Sequence, residues 1–344
     1  MLLRRLLAAS GATLVLAAAS SSAAYADDDS PGHPTDGNNT FAVIGDIPYG
    51  DAQLAAFPGW INQINAANPS MTFHLGDIKN GSSRCDDPYY QLIRSDFDKF
   101  VNPLIYTPGD NEWTDCHRVN NGSYNPLERL AFDRKVFFNQ PGMTLGQNPI
   151  KVDSQAWLGF PENVNLRRQG VDFAVVNVVG SNDDLQPWTG IGNSTPTSRQ
   201  IIEERLRRAD AVYVVHKAFA EARQKHDRAV AVMLQADMFD PTYTPNYATD
   251  ISAFKPMVQA LVLESSAFEG EVYLFNGDSH IYHSDQPLAA GSPWLTTYGV
   301  QGAAENLQRV TVDGSSNNKD WLKVTVNRPG SASVLSWQRI PYTS

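Results

Sequence analysis

The chain has 344 residues, with 37 acidic against 27 basic side chains and a formal charge of -10. A surface of that sign is soluble and repels polyanions, which argues against nucleic acid as an obligate partner. It leaves room for a small anionic substrate, because a bound cation reverses the sign inside a pocket.

Arg4 and Arg5, an apolar run from about Leu6 to Ala19, and small residues ending in Ala24-Tyr25-Ala26 predict a secretory signal peptide cut near Ala26. The run is short for a membrane span and has no stop-transfer pattern behind it, so no stable membrane insertion is expected. The predicted location is secreted or periplasmic. Residues 27–39 are polar with Pro and Gly and read as a flexible leader. Residues 40–344 show no repeat and no low-complexity linker, which predicts a single domain.

Within that domain, strands are predicted at 41–44, 71–75 and 103–106, and helices at 54–67, 87–100 and 127–138. Pro58 is expected to delay the first helix. Residues 138–155 read as loop. A strand at 171–179, a helix at 198–209 opened by Ser198, and strands at 212–215 and 229–234 follow. A helix at 251–264 and a strand at 272–275 come next. The stretch from Arg309 to Ile340 has period-two strands separated by turns and reads as antiparallel. The earlier alternation of strand and helix predicts an α/β class with parallel crossover units.

The two cysteines, Cys85 and Cys116, are expected to pair in an oxidising compartment. The bridge would be worth about 3 to 4 kcal/mol by loop-closure entropy. It would also tie together the loops that follow Asp77 and Asp110.

Those loops carry the chemistry. Asp46, Asp77 and Asp110 each follow a glycine at the end of a predicted strand, and Asp278 and His280 follow the strand at 272–275. In open α/β sheets chemistry collects beyond the carboxyl ends of parallel strands. Carboxylates converging there repel one another unless a cation lies between them. Acidic groups, one imidazole and amide oxygens are the donor set of one or two divalent metals.

The order GD, GDxK, PGDNE and NGDSH resembles the calcineurin-like metallophosphoesterase superfamily over about residues 41–285. The resemblance implies a sandwich of two mixed β-sheets flanked by helices, with the antiparallel tail fitting its second sheet. It implies a dinuclear metal centre and hydrolysis of small phosphate mono- or diesters by metal-activated water. Carried over, Asp46 would bind the first metal and Asp77 would bridge both. Asp110 replaces the usual asparagine ligand, Asn111 the catalytic histidine, and Glu112 matches the motif. Gln235, with Asp237 just beyond, stands where the family has a late histidine ligand. Asp278 replaces the first histidine of the last motif, and His280 is retained. The first motif lacks its second histidine, having Ile47 and Pro48 there; Tyr49 is a candidate to approach the metal.

This oxygen-rich set favours Mn, Mg or Ca over Fe or Zn. Losing the third-motif histidine removes a general acid or transition-state partner worth about 100-fold. The alternative reading is therefore a catalytically weak or inactive relative that binds metal and a phosphorylated or sugar-like ligand. Lys79, Arg118 and His117 are candidate phosphate contacts, Arg118 by forking onto its oxygens. His74 is expected as a hydrogen-bonded core or supporting histidine. Asn177 and Asn182 are expected at the pocket rim, and His216 and Lys217 on a surface turn. The aromatic loop 237–250 is suited to selecting the organic half of a substrate.

Overall fold

A computed structural model describes residues 39–242 and 244–343; the predicted signal peptide, and the leader up to residue 38, lie outside the described residues. In chain order the strands are β1 (Thr40–Ile44), β2 (Thr72–His74), β3 (Leu104–Tyr106), β4 (Asp153–Gln155), β5 (Phe160–Arg168), β6 (Val171–Val175), β7 (Ala229–Met233), β8 (Glu271–Asn276), β9 (His283–Asp285), β10 (Leu307–Thr311), β11 (Asp320–Val326) and β12 (Leu335–Pro341). They form two mixed sheets, one ordered β12-β11-β1-β2-β3 and the other β4-β5-β6-β7-β8-β10-β9. β1, β2 and β3 are parallel, as are β6, β7, β8 and β10.

The period-two pattern of the strands explains the layering. In β1, Phe41 and Val43 face the other sheet, whereas Ala42 and Ile44 face helices. Between the sheets, Phe41 meets Phe73 and Phe173 edge-on at 5.5 and 5.4 Å, and Phe73 stacks on Phe173 at 5.3 Å. Helices Gly50–Ala67, Asp87–Phe97 and Pro126–Phe137 cover the outer face of the first sheet. Ser198–Lys225 and Lys255–Ser266 cover that of the second.

Four expectations are corrected. The first helix starts at Gly50 and holds Pro58 inside it. The predicted strand at 212–215 is part of the helix Ser198–Lys225. Its β-branched run looks strand-like, but Ala211, Val214, Val215, Ala218 and Ala222 keep a helical spacing and form one buried stripe. A capping box of Thr197 and Gln200 opens this helix, so His216 and Lys217 lie mid-helix, paired with Glu264 and Asp153. The tail is split: β10 runs parallel to β8 in the second sheet, while β11 and β12 extend the first sheet antiparallel to β1. Finally, β5 emerges where no strand is expected, because its buried Glu162, Asn163 and Asn165 hide the apolar pattern.

Candidate metal centre

Each acidic motif begins where a strand's ladder stops. Asp46 lies two residues beyond β1, Asp77 three beyond β2, Asp110 four beyond β3 and Asp278 two beyond β8. The strand ends are laced together, the Asp46 N–H donating to Gly76 O at 3.0 Å and the Asp278 N–H to Asp46 Oδ1 at 3.0 Å. Asp46, Asp77, Asp278 and His280 all have left-handed backbones, with φ of 54°, 58°, 72° and 63°. Aspartate tolerates that region better than most residues, at a cost of about 1 kcal/mol or more each. Two glycines make the convergence possible. A methyl group at Gly109 would strike the Asp77 carboxylate, and one at Gly180 would lie 2.7 Å from Asp110 Oδ2 and 3.0 Å from Asp278 Oδ1.

The result is two triads that share one residue. Ligand atoms of Asp46, Asp77 and His280 lie within 4.8 Å of one another, and so do those of Asp77, Asp110 and Asp278. Burial, and then the surrounding carboxylates, push Asp77 and Asp278 well above the usual carboxylate range. Asp46 moves the same way, burial again leading. His280 is lowered by burial. Acids so crowded and so poorly paired need a counter-charge, and their hard oxygens with one imidazole suit divalent cations. The residues present fit a dinuclear centre on those grounds.

The surrounding groups hold this cluster in place. The Asn111 amide Nδ2 donates to Asp77 Oδ2 at 2.7 Å and to Tyr49 Oη at 2.8 Å, and the Asn111 N–H donates to Asp77 Oδ1 at 3.1 Å. Tyr49 Oη donates to Asp77 Oδ2 at 2.7 Å and lies 3.3 Å from His280 Nε2, so the sequence's candidate tyrosine does reach the cluster. Glu112 is fully buried behind it, its Oε1 accepting from Gly109 N–H, Tyr106 Oη and Asp77 N–H. That makes it a positioning residue rather than one that meets substrate. Gln235 likewise turns Nε2 to Asp110 Oδ1 at 3.2 Å and commits its oxygen to the Gly180 N–H at 2.7 Å. It braces Asp110 from the place expected for a ligand.

Lys79 is buried, and burial lowers its ammonium to about 8. It donates to the carbonyls of Asn80 and Asn111, at 2.9 and 2.8 Å, and so clamps two loops instead of facing a substrate phosphate. The disulfide between Cys85 and Cys116 joins those same loops. Arg118 remains at the rim with its side chain 39% exposed, paired with Asp115 at 2.6 Å. His117 packs beside it, Nδ1 accepting from the Gly190 N–H at 3.2 Å. His74 is buried and neutral, burial holding it at about 4, and donates from Nε2 to Ile47 O at 2.9 Å.

Asn177 and Asn182 are not rim residues. Both are buried, Asn182 accepting from the Ala253 N–H at 2.9 Å and Asn177 accepting from Arg207 through its carbonyl. Their neighbour Ser181, which no sequence signal singles out, reaches the site instead: its Oγ lies 2.9 Å from Asp110 Oδ2 and 2.9 Å from Asp115 Oδ1. Burial, ahead of Asp110's charge, pushes Asp115 up to about 8. The loop 237–250 begins at the cluster, where Asp237 donates from its N–H to Asp278 Oδ2 at 3.1 Å and is paired with Arg309. Its Phe239 shelters in the core against Trp294 and Tyr298.

No protein-family profile and no curated protein sequence matches the chain. Among solved structures it is similar to a dimetal phosphatase from Danio rerio, at 11% identity and a TM-score of 0.54 over 89% of this chain and 99% of that one. It is more distantly similar to the anchor in the inner membrane complex of Plasmodium, at 10% identity and TM-score 0.43 over 89% of each chain. A purple acid phosphatase from yellow lupin (Lupinus luteus) seeds aligns at 11% identity and TM-score 0.46, over 88% of this chain and 51% of that one. At 11% identity the likeness to the Danio rerio phosphatase is one of architecture. The chain has the metallophosphoesterase fold, two mixed sheets flanked by helices.

Proposed function

We propose that this protein is a secreted, metal-dependent hydrolase of small phosphate mono- or diesters. The observation that carries the reading is the pair of acid-rich triads joined at Asp77, at the strand ends of a fold shared with a dimetal phosphatase. Asp46, Asp77 and His280 would hold one cation, and Asp77, Asp110 and Asp278 the other. The hard donor set favours Mn, Mg or Ca over Fe or Zn. When bound, such ions offset charge on the phosphate and lower the pKa of water. The N-terminal sequence supports export.

The protein's own residues orient and recognise. Arg118 offers a guanidinium fork to phosphate oxygens at the rim. Asn111 stands where the motif it resembles implies a histidine, and an amide has no proton to give up. Both its amide protons are spent on Asp77 and Tyr49, so it holds those two groups in place. With no proton donor at that position, the leaving group departs largely unassisted, so esters of acidic alcohols and phenols should react best.

The test is residues 27–344 purified without chelator, analysed for bound metal, and assayed on aryl phosphate mono- and diesters with Mn, Mg or Ca. One or two ions per chain, with turnover lost in Asp77→Ala, is the expected result. A protein that neither carries metal nor gains stability from added metal would sink the proposal.

A further inference from the structure

A backbone feature beside the cluster has no role in the fold's layering. Residues 181–184 run through four consecutive left-handed conformations, with φ of 54°, 55°, 53° and 72°. Isolated left-handed residues are ordinary, but a whole turn of them is costly for L-amino acids. It is held from every side. The Gly180 N–H is bound by Gln235, Asn182 accepts from the Ala253 N–H, and Asp183 is paired with the buried Arg207 at 2.5 Å. What this turn delivers to the site is one hydroxyl, Ser181 Oγ, set between Asp110 and Asp115.

The chain of contacts continues outward. The second Asp115 oxygen takes Arg118 Nη1 at 2.6 Å. Asp115 is buried, so the guanidinium is tethered on one side and keeps its other N–H groups for an anion. Beside it, Gly81 allows close packing: a methyl group there would crowd Asn111 Oδ1 at 2.8 Å and Arg118 Nη1 at 3.1 Å. The bare backbone of Gly81 therefore lies against both the arginine and the amide that touches Asp77.

We infer that Ser181 and Asp115 are positioning residues that hold Arg118 in register with Asp110, so that a substrate phosphate is gripped at a set place relative to the carboxylate cluster. The inference rests on the phosphoesterase reading. A guanidinium left to swing on its long side chain would bind phosphate with a larger loss of rotamer freedom. Tethering through Asp110–Ser181–Asp115–Arg118 removes that loss before substrate arrives.

A double-mutant cycle tests it, reading the binding of inorganic phosphate to manganese-loaded protein by calorimetry, with manganese content measured in parallel. Ser181→Gly removes the hydroxyl and accepts the left-handed backbone. It should weaken phosphate about tenfold without loss of manganese, and add nothing in an Arg118→Ala background. With aryl phosphate, KM should rise by a similar factor while kcat changes less than about threefold. Gly81→Ala reports independently of the turn, and should weaken phosphate binding while leaving manganese in place. Independent effects of Ser181→Gly and Arg118→Ala, or loss of manganese in Ser181→Gly, overturn the inference alone. Native protein that binds no phosphate with manganese present overturns both it and the phosphoesterase reading.

Discussion

Two groups of buried acids in this molecule are neutralised differently. Behind the strand ends one group is matched with arginine: Asp183 with Arg207, Glu162 with Arg134, and Asp227 with Arg167, each acid at most 1% exposed in its side chain. At the strand ends Asp46 and Asp77 are as deeply buried and Asp278 partly so, yet the nearby cations are a lysine turned to carbonyls and an arginine at the rim. The fold can neutralise a buried carboxylate internally and does so repeatedly. At the cluster it does not, and the missing charge is left to come from outside. The contrast sets arginine-paired acids against a crowded cluster without a paired cation.

That contrast can be broken most forcefully from the paired side. Arg207→Met should destabilise the protein by about 3 to 5 kcal/mol, because it leaves Asp183 and Glu203 buried without their partner. Urea unfolding measures it, and a change under about 1 kcal/mol would contradict the view that these acids depend on arginine.

From the unpaired side, saturating manganese should raise stability by about 2.7 kcal/mol at a hundredfold excess over its Kd. The pH dependence should change with it. Asp46, Asp77, Asp278 and Asp115 have folded values raised above their unfolded ones, Asp115 to about 8. Their protonated forms favour the fold, so their contribution is fully present below about pH 4 and is lost as pH rises toward 8. In chelator, melting temperature should therefore fall between pH 5 and 8, and manganese should remove most of that fall. A metal-free protein whose stability is flat or rises over that range would count against a crowded carboxylate cluster.

The smallest effect has the most telling sign. Asp278→Asn keeps a residue type that tolerates φ of 72° and removes one repelling charge. Metal-free stability at pH 8 should rise by about 1 kcal/mol, while manganese affinity falls. Asp183→Asn, on the paired side, should lower stability instead. Thermal unfolding of the two variants in chelator compares them directly, and like signs would erase the distinction.

Much of this was legible in the residues. Asp46, Asp77, Asp110, Asp278 and His280 could be found because each motif follows a short apolar run, and strand-end glycines punctuate it. Tyr49 was visible for the same reason, being three residues past Asp46. Ser181 was not, since its partners Asp110 and Asp115 lie 71 and 66 positions away and no periodicity links them. Lys79 and Gln235 stand out in the sequence, but their hydrogen-bond partners do not. Whether an ammonium faces a phosphate or two carbonyls depends on how neighbouring loops close over it. The run at 212–215 misled because local β-propensity outweighed a helical stripe completed only against the second sheet.

By itself, then, the sequence determined the α/β class, the strand-end acids and the cysteine pair, because strand alternation, glycine punctuation and residue type are local properties that short stretches carry whole. Only the tertiary structure decided that Asp77 belongs to both triads, that the tail divides between two sheets, and that Ser181 bridges toward Arg118. Those outcomes depend on charge proximity, burial and backbone strain between segments far apart in the chain, and such quantities exist only after the chain has folded.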